Sequence, residues 1–326
     1  MTSSTWRQFL TQQGAVWDER GVAHFSSHPH LEDSSPTLVD LSHWGVLWVK
    51  GPDTHKFLQG QLTCDLKQLE SNTCLRGAHC NVKGRAIFTA YVFDGGLDET
   101  CVGLFMPTTM LTIAEASLAK FIVFSKAKLS IDDNVVCLGL IHPTADHLDQ
   151  LSTAIRLSPD KFLVCTQASS AQQLWTQLSA HCQLAGYPAW DLANIRAGLG
   201  DVEPPTSDEF IPQYLNFHLT GGISFKKGCY IGQEVVARLE YKGKLKRHLQ
   251  RVGLQHSSAP QIGDQLSDGI SDQSIGNIVA CAQTGPDSFE ILAVINDQAA
   301  NDNQVFLKQE KNVQLQVLSL PYAITK

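Results

Sequence analysis

The stretch LTGGISFKKGCYIGQEVVARLE, residues 219–240, contains the densest group of chemically distinctive side chains in the chain. Its alternating residues 223–225 predict a strand, and Gly228 predicts a tight turn that a residue with a Cβ would resist. The run GQEVVARLE, which starts at Gly232, predicts a helix. These elements place Cys229 just before the start of a helix.

Cys229 is the best candidate nucleophile in the sequence. The N–H groups at a helix N-terminus, with Lys226 and Lys227 alongside, would stabilise the thiolate form of a cysteine. A small buried hydrophobe is the ordinary interpretation of an isolated cysteine. The glycines, lysines, tyrosine and Gln-Glu pair crowded around Cys229 favour a functional site.

The same stretch spells K-G-C-Y-x-G-Q-E, which resembles the signature of the YgfZ family. The residues that carry this resemblance are Lys227, Gly228, Cys229, Tyr230, Gly232, Gln233 and Glu234. The family is related to the glycine cleavage T protein and is associated with folate binding, tRNA modification and iron–sulfur enzyme maintenance. The likeness covers the chain from near Leu41 to Tyr322 and implies an α+β fold arranged as a three-domain ring.

Length and element pattern predict the domain organisation. A chain of 326 residues is too long for one ordinary core. Residues 1–135 are predicted to form an N-terminal α+β folate-binding region, and residues 136–240 a second α+β region that ends in the signature and can interleave with the first. Short strands separated by turn residues predict a C-terminal antiparallel β-barrel over residues 241–326.

Composition restricts the classes of function. A net charge of −7 and a pI near 5.9 argue against a broad basic face that coats nucleic acid. The nine cysteines contain no C-x-x-C, and the N-terminal residues lack a secretory pattern. No apolar run approaches the roughly 18 residues of a membrane span. We therefore expect a cytoplasmic monomer that makes no membrane contact.

Two tryptophans are candidate folate contacts. Trp44 lies beside a glycine where a predicted strand leads to a helix, and Trp190 lies on a predicted helix away from its apolar stripe. Packing is the default interpretation of any single tryptophan. The resemblance implies that both indoles contact folate, as tetrahydrofolate or a derivative, since a flat pterin ring stacks on a flat aromatic partner.

Several kinds of chemistry lack support in the sequence. There is no phosphate-binding glycine loop, dinucleotide fingerprint or H-E-x-x-H motif. Cys74, His79 and Cys80 lie within a predicted hairpin over residues 74–93, with its turn at Lys83 and Gly84, and have no matching second pair, so packing explains them better than a metal site does. We predict no metal site.

The hairpin also bears on catalysis. In the glycine cleavage T protein, as the resemblance aligns it, an acidic pair after the hairpin turn assists a folate nitrogen during methylene transfer. The matching positions here hold Phe88 and Thr89. Neither side chain is a general acid or base at neutral pH. The resemblance therefore implies that a folate cavity is retained while aminomethyl transfer is lost.

The run KGKLKRH, residues 242–248, is the only compact basic segment of the chain. A solvated strand end is its default interpretation. Contact with phosphate, polyglutamate or an RNA backbone is the alternative. Direct contact with tRNA is left open at this point.

Three hypotheses follow for function. The first is a folate-binding accessory factor in which Cys229 performs thiol chemistry that supports iron–sulfur enzymes acting on tRNA. The second is a folate-dependent one-carbon transferase, in which Asp40 or Asp191 would supply the acid or base. The third is a folate-independent protein-interaction module whose signature is a partner surface. The first is favoured, and whether the chain is itself an enzyme is left open.

Overall fold

The computed structural model describes residues 4–28, 34–96, 100–151, 153–271 and 273–324. The helices among them are α1 Ser4–Gln12, α2 Thr54–Gln59, α3 Thr108–Ile122, α4 Ala145–Asp149, α5 Ala168–Leu178, α6 Tyr187–Arg196, α7 Gln233–Lys242 and α8 Asp297–Asn301. The first twelve strands are β1 Ala15–Trp17, β2 Val22–Phe25, β3 Thr37–Asp40, β4 Trp44–Lys50, β5 Cys74–Cys80, β6 Ala86–Asp94, β7 Cys101–Pro107, β8 Lys128–Ile131, β9 Val135–Ile141, β10 Ile155–Ser158, β11 Lys161–Gln167 and β12 Gln183–Ala185. The remaining strands are β13 Arg247–Gln255, β14 Gln265–Ser267, β15 Gly276–Gly285, β16 Ser288–Asn296, β17 Phe306–Leu307 and β18 Gln316–Leu318.

These elements form two compact units that interleave along the chain. Unit 1 comprises Met1–Phe57, Leu66–Leu75 and Tyr91–Trp190, and unit 2 comprises Leu58–Asp65, Arg76–Ala90 and Asp191–Lys326. The chain passes between the units within α2, β5, β6 and α6. The mixture of helices and sheets confirms the α+β class. The domain limits at 135/136 and 240/241 and the three-domain ring stay predictions.

The first sheet of unit 1 has the strand order β10-β11-β9-β3-β12. Its neighbours pair antiparallel, except that β12 lies parallel to β3. Alternation along β9 divides its side chains between two faces. One face joins a core that includes Trp6 of α1 and Trp175 of α5, both fully buried. The two helices cover this face because their apolar stripes need burial.

The second sheet of unit 1 is antiparallel and includes the order β6-β7-β4-β8, with residues 91–94 of β6 in this unit. Every residue of β7 is buried. Helix α3 packs against β4, where the Leu111 side chain fills the space beside Gly45. Trp44 is the first residue of β4 and therefore lies at the end of this sheet.

Unit 2 contains the hairpin turn that the sequence predicts between β5 and β6. Gly84 has a left-handed φ of +74°, and the Asn81 side-chain oxygen accepts a hydrogen bond from Lys83 N at 2.7 Å. The predicted turn at Lys83 and Gly84 is therefore confirmed. Asparagine and glycine suit this turn because one satisfies backbone donors and the other tolerates positive φ.

The C-terminal part of unit 2 is a six-stranded antiparallel sheet in the order β17-β14-β15-β16-β13-β18. Its core contains buried aliphatic residues of β13, β15 and β16 together with the alanines of α8. The predicted antiparallel C-terminal region is thus present. Its closure into a barrel stays a prediction.

The signature stretch differs from its predicted local structure at two points. Residues 223–225 are irregular chain, held to Thr63 O by a hydrogen bond from Ser224 N, so the predicted strand is wrong. Gly228 does not have a left-handed φ, and a Cβ built there meets no atom within 4 Å. The left-handed glycines are Gly221 and Gly232. The predicted helix is confirmed as α7, which begins at Gln233.

Candidate functional site

Cys229 lies in the irregular loop that precedes α7. The helix begins four residues later, at Gln233, so the thiol is separated from the helix start by Tyr230, Ile231 and Gly232. All nine cysteines lie in the described part of the chain, and Cys229 alone among them is exposed. The loop therefore presents to solvent the one thiol that the sequence selects as a nucleophile.

Lys227 fixes the base of this loop. Its side chain is 8% exposed, and its ammonium donates hydrogen bonds to Leu62 O and Cys64 O, each at 2.7 Å. The ammonium also lies 5.2 Å from the centre of the Tyr230 ring. From the sequence, Lys227 is expected to lie beside the Cys229 thiol and to stabilise its thiolate form by its positive charge. The structure instead directs its ammonium to two main-chain carbonyl oxygens.

The surroundings of Lys227 change its titration. Burial lowers the pKa of Lys227 to about 8, and the charges near Cys64 and Asp65 oppose part of that change. A buried ammonium is costly unless hydrogen bonds compensate it. The two carbonyl oxygens provide that compensation. Lys227 consequently acts as a clamp between the signature loop and the Leu62–Cys64 segment.

Tyr230 and Gly232 complete the support beneath the thiol. Tyr230 is buried, and this burial raises the pKa of its phenol. Gly232 has a φ of +82°, and a Cβ built on it would lie 2.6 Å from Asn81 O at the hairpin turn. The glycine therefore permits both the left-handed turn and the close approach of the loop to the hairpin.

Gln233 and Glu234 open α7. Glu234 is exposed in the first turn, where a carboxylate interacts favourably with the positive end of the helix dipole. Buried Val236 anchors the helix, and its carbonyl oxygen accepts a hydrogen bond from Gln213 Nε2 at 2.7 Å. The signature therefore contains two kinds of residue. Three of them support the loop through packing, hydrogen bonds or backbone conformation: Lys227, Tyr230 and Gly232. Three others are exposed: Gly228, Cys229 and Glu234.

Trp44 belongs to a cleft within unit 1. Its ring lies 4.7 Å from the Phe105 ring and 6.0 Å from the Tyr91 ring. The cavity volume of this cleft is about 50 Å³. The cleft is lined by Trp6, Ser42, Trp44, Gly45, Val46, Thr108, Leu111, Ile131, Asp132, Asp133, Val135, Val136 and Cys137. Trp44 is 6% exposed, and neither Phe105 nor Tyr91, on which its indole packs, is among the described residues that line the cleft.

Trp190 is fully buried on α6. Its ring lies against Gly139, where a Cβ would come within 2.8 Å of the indole, and the Lys161 Nζ is 4.9 Å from the ring centre. Its Nε1 has no hydrogen-bond partner among the described residues. Trp190 is not among the described residues that line the Trp44 cleft. The structure thus does not bring the two tryptophans together in that cleft.

Thr89 occupies the hairpin position where the glycine cleavage T protein has an acidic residue, and the carboxylate of Asp201, from a distant part of unit 2, lies beside it. Thr89 donates a hydrogen bond to Asp201 Oδ1 at 3.0 Å and accepts one from Val202 N at 3.0 Å. Arg76 forms a buried ion pair with the same Asp201 oxygen at 2.8 Å. Sequence reasoning missed this Asp201–Arg76 pair because 125 residues separate its members.

Asp40, which the transferase hypothesis requires, is almost completely buried in unit 1. Its carboxylate accepts hydrogen bonds from Trp6 Nε1 at 2.9 Å and from the Ser42 hydroxyl at 2.8 Å. Burial raises the pKa of Asp40, and these hydrogen bonds counteract part of that rise. The arrangement makes Asp40 a structural anchor for Trp6. Asp191, the other required residue, is half-buried on α6.

Two features are absent from the described part of the chain. No group of three or more His, Cys, Asp or Glu side chains there is arranged to hold a metal ion. None of the described helices combines the length and the apolar character needed to cross a bilayer.

Comparison with solved structures identifies the fold. The chain has the fold of the glycine cleavage system aminomethyltransferase T from Bartonella henselae, with a TM-score of 0.72 over 98% of this chain and 97% of that one. The identity is 18%, so the comparison establishes the fold alone.

Sequence comparison then gives the family. The chain is 32% identical to the tRNA-modifying protein YgfZ of Sodalis glossinidius over 312 residues, which cover 88% of this chain and 93% of the relative. It is 31% identical to the tRNA-modifying protein YgfZ of Photorhabdus laumondii, covering 93% and 98% of the two chains. No protein-family model matches. The chain belongs to the YgfZ family.

Proposed function

We propose that this protein is a folate-binding accessory factor that supports iron–sulfur enzymes of tRNA modification, such as thiomethylation, with Cys229 as its functional thiol. The relatives are named for tRNA modification, and the fold is that of an aminomethyltransferase. These likenesses support the tRNA role and a folate site. The thiol is the part of the proposal that depends on this chain's own geometry.

The observation that carries the proposal is the contrast between Cys229 and its neighbours. Lys227 and Tyr230 on either side are buried and fixed, whereas Cys229 is exposed. A cysteine that served packing would be buried, as free cysteines usually are. An exposed thiol on a rigidly supported loop suits exchange with a partner's sulfur or a shared contact to a partner's cluster, since a lone cysteine does not supply the four ligands that clusters usually take.

The residues present are compatible with a bound reduced folate. Trp44 is one of the residues that line a cleft in unit 1, and the buried Nε1 of Trp190 lacks a partner among the described residues. We propose that these two tryptophans contact tetrahydrofolate or a derivative. When bound, a reduced folate supplies one-carbon units carried on its ring nitrogens. Trp44 would contact the pterin ring as an aromatic partner, and Trp190, whose ring is covered, would contribute the donor at its Nε1.

The carboxylates of Asp201 and Asp40 give less support to the transferase alternative than the exposed Cys229 gives to the accessory factor. Asp201 reaches the hairpin position of Thr89, but its carboxylate pairs with Arg76 at 2.8 Å. Asp40 is held by Trp6 and Ser42 inside unit 1. A general acid or base needs a free position against the substrate. Turnover of 5,10-methylene or 5-formyl tetrahydrofolate by the purified protein would nevertheless establish this alternative.

A cytoplasmic location and a monomeric state are part of the proposal. All nine cysteines are free, and thiols stay reduced in the cytosol, where disulfides are rare. The folate-independent interaction module remains the competing interpretation of the signature loop. It predicts that tetrahydrofolate leaves the tryptophan fluorescence of the protein unchanged, whereas the accessory-factor proposal predicts quenching.

The decisive experiment measures thiomethylated tRNA nucleosides by mass spectrometry in cells that lack the protein and are complemented with variants. We expect Cys229→Ser and Cys229→Ala to lower the thiomethylated fraction to that of the empty vector. Cys281→Ser, which changes a half-buried cysteine of β15, is the matched control and should restore it. Full restoration by both Cys229 variants would refute the role of the thiol.

A further inference from the structure

Cys137 and Cys165 form a pair of thiols in unit 1 that the proposed function does not use. They are direct partners in the antiparallel pairing of β9 with β11. Their Sγ atoms lie 3.7 Å apart. Both are free thiols in the structure.

Strand alternation places this pair on a particular face of the sheet. Val136 and Leu138 of β9 and Val164 of β11 belong to the Trp6–Trp175 core. Since successive side chains point to opposite faces, Cys137 and Cys165 lie on the other face. Gly139 is two residues along β9 on that same face, and it is the glycine that the Trp190 ring covers. The thiol pair is therefore a near neighbour of Trp190.

The pair is also connected to the Trp44 cleft. Cys137 and Trp44 are both among the residues that line it. Cys137 is 4% exposed, and Cys165 is half-buried. Trp190 is near the pair through Gly139, so a covalent change at Cys137 would alter the surroundings of the Trp190 indole.

The backbone already provides the spacing of a disulfide. Directly opposed residues of an antiparallel pair have Cα atoms about 4.5 or 5.5 Å apart, and disulfides span Cα separations of roughly 4.4–6.8 Å. Bond formation would bring the sulfurs from 3.7 Å to about 2.05 Å. Side-chain rotation can supply that movement, so the strands need not separate.

We propose that Cys137 and Cys165 are a reversible thiol–disulfide site that reacts with small organic disulfides. The Cys137 thiolate attacks one sulfur of the small disulfide, which releases one thiol and leaves a mixed disulfide on Cys137. Cys165 then attacks the Cys137 sulfur, the second small thiol leaves, and the Cys137–Cys165 bond remains. The two cysteines lose two protons and two electrons, which the two released thiols carry.

The order of attack follows from the surroundings of the two sulfurs. The hydrogen bond with Cys137, together with burial, raises the pKa of Cys165 well above its ordinary value. Cys165 is therefore protonated and unreactive towards free disulfides near neutral pH. It reacts once the mixed disulfide is held against it on the neighbouring strand, because the reaction is then intramolecular.

The test uses the reduced full-length protein and bis(2-hydroxyethyl) disulfide, followed by alkylation, tryptic digestion and mass spectrometry. We expect a reducible cross-link between peptides 129–156 and 162–196, which carry Cys137 and Cys165, and a change in tryptophan fluorescence. Peptide 162–196 also contains Cys182, so Cys182→Ser is the matched control and should retain the cross-link. In Cys165→Ser the hydroxyethyl adduct should stay on Cys137 with no cross-link.

Two results would overturn the proposal. One is complete modification of the exposed Cys229 while Cys137 and Cys165 are still fully alkylated. The other is loss of the cross-link in Cys182→Ser, which would assign the bond to Cys182. Circular dichroism of each variant verifies that it is folded, and thiol mapping of the wild-type chain tests the proposal without any substitution. None of these results depends on the role of Cys229 or of folate.

Discussion

The ammonium of Lys227 donates a hydrogen bond to the main-chain oxygen of Leu62, at 2.7 Å, across 165 positions of sequence. This contact ties the loop that presents Cys229 to a segment of the chain that the sequence does not connect with it. In the folded chain, burial lowers the pKa of Lys227 to about 8, from an ordinary value of 10.5. The same residue therefore anchors the loop and makes the stability of the protein depend on pH.

Lys227→Met should remove a specific pH dependence of stability. Between pH 8 and 10.5 the unfolded chain holds more protons at this residue than the folded chain does, so the free energy of unfolding rises with pH. We expect the wild-type protein to gain on the order of 2 kcal/mol relative to Lys227→Met between pH 7 and 10. Urea unfolding of both proteins at several pH values measures the difference in their free energies of unfolding. A constant difference would contradict the buried, hydrogen-bonded position of the ammonium.

Alanine substitutions at two glycines of the signature should change the stability of the protein to very different extents. Gly232→Ala places a Cβ 2.6 Å from Asn81 O at a φ of +82°, and we expect it to lower stability by about 2–4 kcal/mol. Gly228→Ala meets open space, and its effect should lie within about 0.5 kcal/mol. Denaturant unfolding of the pair tests this. Equal destabilisation would contradict the loop conformation.

Asp201→Asn should destabilise unit 2 strongly. The change removes the charge paired with buried Arg76 and leaves a guanidinium without its carboxylate, which costs about 3 kcal/mol or more. Glu310→Gln, in a more exposed pair with His256, is the control and should cost much less, because solvent screens that pair. Thermal and urea unfolding compare the two. Similar effects would show that the Asp201–Arg76 pair is not desolvated.

Trp44→Leu should weaken binding of tetrahydrofolate by roughly 5-fold, because an aromatic contact contributes on the order of 1 kcal/mol beyond burial. Trp48→Leu changes another buried tryptophan of β4 that does not line the cleft and is the matched control. Trp44→Phe should recover part of the affinity. Fluorescence titration or calorimetry gives the dissociation constants. Unchanged affinity in Trp44→Leu would remove Trp44 from the folate site.

The basic segment provides a test of direct tRNA contact. Lys242, Lys244 and Lys246 are exposed beside Tyr241, which is 69% exposed. Replacing the three lysines by glutamine should weaken tRNA binding and reduce its salt dependence by a slope of about 2, since each phosphate contact contributes about 0.7–0.9. The matched control replaces exposed Lys120, Lys126 and Lys128. Equal losses in both triple variants would assign the effect to overall charge.

Local sequence patterns were sufficient to predict part of this structure. The hairpin turn at Lys83 and Gly84 follows from neighbouring turn residues, and α7 follows from its helix-forming run after Gly232. The signature also identified Cys229 and the family, because those seven residues lie within eight positions. Each of these features depends on residues that are close together in sequence, where propensity and spacing carry the information.

The sequence alone determined the α+β class, the hairpin, the signature helix and the choice of Cys229 as the candidate thiol. Tertiary structure alone decided that Lys227 points into the protein, that Gly232 rather than Gly228 needs to be glycine, and that Trp190 is covered. It also brought Cys137 against Cys165. Such contacts join residues distant along the chain, and packing fixes them in ways that local spacing does not encode.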